Sequence, residues 1–310
     1  MKLATLDVGT NTVLMLVAER DAAGAIHTIA DFARITRLGR GVDSSGRLDP
    51  DSAAQTLAAI VDFAQKARDL GAEKIVGVAT AALRDVSDGA EFIAQVKARA
   101  GLDLEIITGE TEAQLCYLAV SKGLQLDPAA KLLIVDIGGG STEMIRAEPG
   151  RPIDFVSLQI GSVRLTERFV HHDPPDAREA MDLRLAVNEA LQRLDWDFTP
   201  DLMVGIAGTV TTVCAIVLGL TAYDPKVVHA HRLSQDEVIA TIAKLGAVPL
   251  AERKQLPGLE PGRADVIFAG AAILERIMSH FHMNEVVVSD QGVRCGLFWR
   301  TLDTLSTAPT

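Results

Sequence analysis

Apolar and polar positions along this chain trace one arrangement of elements and then trace it again. Residues 3–7 and 13–19 are short, mostly apolar runs that predict two strands flanking the turn Gly9-Thr10-Asn11-Thr12. Residues 26–36 predict a third strand beyond the turn signal at 21–24, and a polar, glycine-containing loop begins at Arg37. Asp49 then caps a helix with Pro50 at its first position and Leu57, Ile60, Val61, Ala64 and Ala67 along one face. Strands at 74–79 and 102–108 alternate with helices at 89–99 and 109–121. An antiparallel meander followed by helix–strand–helix–strand–helix predicts one α/β domain over residues 1–125.

After a connector at 123–130, with Asp127-Pro128 as a turn, the order restarts. Strands at 131–135, 143–147 and 153–158 lead to a helix near Gly161, and a polar segment at 171–179 leads into an amphipathic helix ending near Leu194. A strand at 202–207 runs into Gly208-Thr209 and another helix, and Ser234 with Glu237 reads as a capping box. An apolar helix at 263–281, a strand at 285–289 and a helix from Gly292 complete a second α/β domain, 126–310, whose last helix is expected to pack back on the first. Residues 306–310 are expected to fray.

The duplication carries chemistry. In LLIVDIGGGSTEMI a strand buried on both faces ends in Asp136, and Gly138, Gly139, Gly140 and Ser141 follow. Glycines in series let the backbone turn tightly and bring several N–H groups to an anion, and an Asp at the strand end is well placed for a divalent cation. The opening ATLDVGTNTVLML repeats the design, with Asp7 aligned to Asp136 and Gly9 to Gly138. A third turn, Gly208-Thr209, opens a helix whose N–H groups and dipole favour an anion. Three such turns, two with an Asp, point to a phosphate chain with Mg²⁺. They imply two ribonuclease-H-like domains of the kind shared by actin, Hsp70 and the sugar kinases, with the active site in the cleft between domains.

Composition narrows the function. Among 310 residues, 48% are hydrophobic and 23% charged, which is ordinary globular material. The net charge of −11 argues against a nucleic-acid partner, which needs a broad basic face, but leaves room for a polyanion in a locally basic cleft. Cys116, Cys214 and Cys295 lie far apart in apolar surroundings, as in a reduced cytosolic protein. No apolar run reaches the ~18 residues of a membrane span, and the N-terminus enters a strand directly, so a cytoplasmic protein without a membrane partner is expected.

Five segments resemble the exopolyphosphatase / guanosine pentaphosphate phosphohydrolase (Ppx/GppA) family: LDVGTNT, VGVATAALRD, IITGETEAQL, VDIGGGSTEM and GIAGTVTTVCAI. Weaker likenesses are LQIGSVRLTERF, RADVIFAGAAIL and VVVSDQGVRCGL. The resemblance implies an enzyme that hydrolyses a phosphoanhydride, releasing terminal phosphate from polyphosphate, guanosine pentaphosphate or both, with Mg²⁺ or Mn²⁺ as cofactor. It implies Glu112 as the base that activates water, with Glu110 as a displaced second candidate. It implies Asp136 and Glu143 at the metal, with Asp7 a weaker third, and phosphate contacts from Gly9, Thr10, Asn11, Thr12, Arg84, Gly138, Gly139, Gly140, Ser141, Gly208 and Thr209. Arg263 and Arg294 are further phosphate candidates, and His229/His231 and His280/His282 are spaced to share a face on a strand and hold a metal. Longer relatives carry an added helical region, so short polyphosphates are the expected preference, and a homodimer is left open. The rival readings are a sugar-kinase-like phosphotransferase and a non-catalytic, actin-like nucleotide-binding protein.

Overall fold

A computed structural model describes residues 1–21, 26–124 and 126–307. Residues 22–24 of the 21–24 turn signal lie outside the described residues, as do 308–310 of the tail. The chain divides into two compact units, Met1–Ala119 with Val293–Thr310, and Val120–Gly292.

The first unit is built on β1 (Lys2–Val8), β2 (Thr12–Arg20), β3 (Ile26–Ile35), β4 (Lys74–Ala79) and β5 (Leu104–Ile106) in the order β3-β2-β1-β4-β5. β1 pairs antiparallel with β2 and parallel with β4, which pairs parallel with β5. Alternation along β1 sends Ala4, Leu6 and Val8 to a core shared with Leu57, Ile60 and Phe63. Those three belong to α2 (Pro50–Asp69), which follows α1 (Val42–Ser45). Asp49 caps α2 through Ser52 N, with Pro50 at the first position as expected. α3 (Ala81–Arg84) and α4 (Gly89–Ala100) follow β4, and α5 (Gly109–Gly123) follows β5. The other face of β1, with Leu3, Thr5 and Asp7, meets the chain's last helix: Leu3 clusters with Phe298 and Leu302, and Thr5 Oγ1 donates to Arg294 O at 2.7 Å.

The second unit repeats this order. β6 (Leu132–Ile137), β7 (Thr142–Ala147), β8 (Asp154–Leu158), β9 (Leu202–Ile206), β10 (Arg232–Ser234) and β11 (Glu285–Val288) lie as β8-β7-β6-β9-β11-β10. β6, β7 and β8 form the meander, β9 and β11 run parallel to β6, and β10 is an antiparallel addition at the edge. Leu133, Val135 and Ile137 face a helical layer, so Asp136, like Asp7, points to the opposite face. The helices are α6 (Ser162–Phe169), α7 (Ala177–Gln192), α8 (Ala207–Val217), α9 (Pro225–Val228), α10 (Gln235–Gly246), α11 (Leu250–Arg253), α12 (Ile267–His280) and α13 (Val293–Thr307), the last belonging to the first unit.

Two expectations change. The apolar helix expected from Arg263 begins at Ile267, because Pro261–Arg263 forms a 3-10 turn that carries the Arg263 guanidinium onto Gly208. β10 escaped notice because three residues are too few to show a period. The connector turn is present, with Ala129 N on Asp127 Oδ1 and Ala130 N on Asp127 O. The capping box at Ser234 and Glu237 is formed, with each side chain on the other's backbone N–H. No helix among the described residues is long and apolar enough to cross a membrane.

Candidate active site

In the first unit the candidate residues gather at the carboxyl ends of β1, β4 and β5. The Gly9–Thr12 turn closes with Gly9 N on Thr12 O at 3.1 Å. Thr10, Asn11 and Thr12 are all buried. A loop after β3 holds this turn from outside: Thr36 N and Arg37 N donate to Asn11 O, and Gly39 N donates to Thr10 O. Next along the sheet, Thr80 N donates to Val8 O and so places the start of α3 beside the turn.

Arg84, at the end of α3, and Glu112, in the first turn of α5, form an ion pair. Arg84 Nη1 donates to Glu112 Oε2 at 2.7 Å and to Ile107 O at 3.0 Å. Thr108 caps α5 by accepting from Thr111 N, which turns Glu112 inward (6% exposed) and leaves Glu110 in solvent, where it meets Gln114. The two acids that sequence placed side by side are thus separated by burial.

Asp7 ends β1 on the face that meets α13. Burial pushes its carboxyl up from the ordinary range to about 7, against the pull of the Arg294 guanidinium. Its Oδ1 is enclosed and has no hydrogen-bond partner among the described residues. Arg294, a phosphate candidate from sequence, is instead a fork on Asp31, with Nη2 to Oδ2 at 2.8 Å and Nε to Oδ1 at 3.1 Å.

The second unit concentrates acid. Asp136 on β6 lies directly opposite Glu143 on β7, which lies opposite Ser157 on β8. Asp136 and Glu143 are buried. Ser141 Oγ and Ser157 Oγ both donate to Glu143 Oε1, at 2.8 and 2.7 Å. Two carboxylates on opposed strand positions repel each other, and a divalent cation converts that repulsion into a shared ligand set. Carboxylate and hydroxyl oxygens are hard donors that suit Mg²⁺ or Mn²⁺. Glu143 is therefore an interior side chain, and Ser157 is a partner that sequence reasoning did not name. The alternation of β8, placed against Glu143 by the hairpin register, was the signal available for it.

The Gly138–Ser141 turn closes as the first turn does, with Gly138 N on Ser141 O at 3.0 Å. The third turn reaches it through Thr209 Oγ1, which donates to Ile137 O at 2.9 Å. Ala207, which opens α8, has a positive φ of 64°, and a Cβ on Gly208 would overlap the Arg263 guanidinium. Burial lowers the Arg263 pKa, opposed by Glu260 and Tyr223.

The histidine pairs do other work. His229 Nδ1 accepts from Asp290 N, so its Nε2 donates to Gly123 O, and His231 takes no part. His280 stacks edge-on against Phe281. A His172–Asp176–Glu179 trio has donor atoms within 4.8 Å of one another, but Glu179 already accepts from the backbone N–H groups of His171, His172 and Asp176 in the cap of α7. The three cysteines are buried and free of disulfides, and burial pushes the Cys214 thiol up to about 12, so it offers no nucleophile at neutral pH.

Two ribonuclease-H-like sheets, each with a strand–Asp–x–Gly turn between its first two strands, define the duplicated, actin-like class of α/β fold. Comparison with known proteins gives the finer assignment. The Ppx/GppA phosphatase family matches residues 16–305, and the chain belongs to that family. Exopolyphosphatase 2 of Mycobacterium tuberculosis is 34% identical over 311 residues, covering 96% of this chain and 97% of that protein. Exopolyphosphatase 1 of Mycobacterium bovis is 30% identical, covering 98% and 89%. The crystal structure of the Aquifex aeolicus Ppx/GppA family member is 31% identical, covers 99% of both chains and superposes with a TM-score of 0.84.

Proposed function

We propose that this chain is a divalent-metal-dependent exopolyphosphatase, releasing the terminal phosphate of inorganic polyphosphate by hydrolysis. The observation that carries the reading is Glu112, a buried carboxylate aimed by a 2.7 Å ion pair to Arg84. In this reading Glu112 takes a proton from the attacking water as the water oxygen bonds to the terminal phosphorus and the bridging P–O bond breaks. Arg84 fixes the carboxylate and lends positive charge to phosphate oxygens. The Gly138–Ser141 turn binds phosphate oxygens through N–H groups, assisted by Gly208 and Thr209, and Gly9–Thr12 is a second such turn. Asp136 and Glu143 would hold Mg²⁺ or Mn²⁺, with Asp7 as a further oxygen donor, and a bound cation there supplies charge neutralisation to the phosphate chain. Guanosine pentaphosphate presents the same terminal phosphoanhydride and is the second candidate substrate.

The test is phosphate release from defined polyphosphates and from guanosine pentaphosphate, with Mg²⁺ or Mn²⁺, with and without ADP or a sugar. Free phosphate from polyphosphate that is unaffected by acceptors is expected, with kcat/KM highest on short chains. Phosphate appearing on ADP or sugar would make the chain a phosphotransferase. Nucleotide binding without turnover would make it a non-catalytic relative.

A further inference from the structure

A planar trans peptide points its C=O and the next residue's N–H in opposite directions. Whatever fixes the carbonyls of Gly138, Gly139 and Gly140 therefore aims the N–H groups of Gly139, Gly140 and Ser141. All three carbonyls are fixed, and by one neighbour, the opening of α6. Ser162 N donates to Gly138 O at 2.9 Å, and Ser162 Oγ adds a bond at 3.2 Å. Val163 N and Arg164 N donate to Gly139 O at 2.9 and 3.1 Å, and Arg164 Nε donates to Gly140 O at 2.7 Å. Gly161 runs so close to the turn that a Cβ there would overlap the Gly139 carbonyl. On the far side, the N–H groups of Gly139, Gly140 and Ser141 donate to no protein acceptor among the described residues, although all three residues are buried. Buried N–H groups are nearly always paired, so three in succession without a protein partner form a cradle for an anion.

Most of these donations come from backbone atoms that any sequence supplies. The bond to Gly140 O comes from the Arg164 side chain, and it governs the Ser141 N–H. We propose that Arg164 is a positioning residue of this cradle. Its guanidinium holds the Gly140 peptide so that Ser141 N–H faces a tetrahedral oxyanion, and its charge polarises that peptide into a stronger donor. The proposal rests on the reading that this turn takes substrate phosphate. It adds a residue outside the glycine turn whose loss weakens phosphate binding while Asp136 and Glu143 keep their places.

The experiment uses the full chain, amide resonances and inorganic phosphate as the probe. In wild type, the amide signals of Gly139, Gly140 and Ser141 should shift as phosphate is added; if they do not, the reading of the turn fails and the proposal with it. Given that response, Arg164→Met, which keeps the stem but removes the donor, should weaken phosphate about tenfold and shrink the Ser141 shift most, as expected for one lost charge-assisted hydrogen bond. Arg164→Lys, which keeps a donor, should fall between the two. Half-saturation by Mn²⁺ should be unchanged in both variants. Wild-type phosphate affinity in Arg164→Met, with wild-type shifts at Ser141, overturns the proposal. So does a parallel loss of metal and phosphate binding in both variants, which would mean that Arg164 merely supports the fold.

Discussion

The two glycine turns are built alike and equipped differently. Each spans four residues between the last paired positions of its sheet's first two strands, Val8/Val13 and Ile137/Thr142, and closes with the same N–H···O bond, Gly9 to Thr12 and Gly138 to Ser141. In each, the segment after the third strand docks on the turn's carbonyls. The first unit does this with backbone N–H groups of a loop, the second with a helix N-terminus and an arginine. The contrast sharpens across the hairpin. Asp136 faces Glu143, whereas Asp7 faces Leu14. The second unit thus has a pair of carboxylates that a cation can share, while the first has one partly buried carboxyl, that of Asp7, near Arg294 and, further along the same sheet, the Glu112–Arg84 pair. In the proposed reading, the second unit is the half that holds a cation and the first the half that moves a proton.

The largest effect expected from this division is on Glu112. Glu112→Gln keeps the shape and removes the base, so polyphosphate turnover should fall ~10²–10⁴-fold with Mn²⁺ binding intact. A variant retaining more than about a tenth of wild-type kcat would remove Glu112 from that role. Next comes the contrast between aspartates. Asp136→Asn should raise the Mn²⁺ concentration for half-activation at least tenfold, and Asp7→Asn by much less, because Asp7 has no carboxylate opposite it. Equal effects would erase the distinction between the units.

Ser157→Ala should act in the same direction as Asp136→Asn but weakly. It removes one of two hydroxyls on Glu143 Oε1, and a several-fold rise in Mn²⁺ half-saturation is expected, with recovery in Ser157→Thr. The smallest effect is on stability in EDTA. Asp7 holds a proton up to about pH 7 when folded but only to about 3.8 when unfolded, so the folded state binds more protons in that window. Stability therefore falls as pH rises from about 4 to 7, and the cost is complete above 7. Three pH units set an upper bound of about 4 kcal/mol, reduced by the solvent that reaches this partly exposed residue. Asp7→Asn should melt higher than wild type at pH 8 and with it near pH 4; coincident melting curves at both would contradict the burial account.

Much of this was legible in sequence because it is local. Strand-end aspartates and glycine turns announce themselves over a dozen residues, and capped helices such as the one after Asp49 carry their own start signal. The choice between Glu110 and Glu112 was not legible from spacing, since it depends on which side of α5 is buried. Ser157, 14 residues from Glu143, and Arg164, 24 from Gly140, were hidden for the same reason: sheet register and helix docking bring them in, and neither leaves a short-range pattern. Arg294 was a phosphate candidate in the sequence, and its partner Asp31, 263 positions away, left no short-range sign.

The most direct test of the division is to measure Mn²⁺ binding and polyphosphate turnover together in Glu112→Gln and Glu143→Gln. The account expects Glu112→Gln to bind Mn²⁺ as wild type does while turning over at a hundredth of the rate or less, and Glu143→Gln to lose Mn²⁺ affinity and regain turnover as Mn²⁺ is raised. Loss of Mn²⁺ affinity in Glu112→Gln, or wild-type affinity in Glu143→Gln, would contradict it.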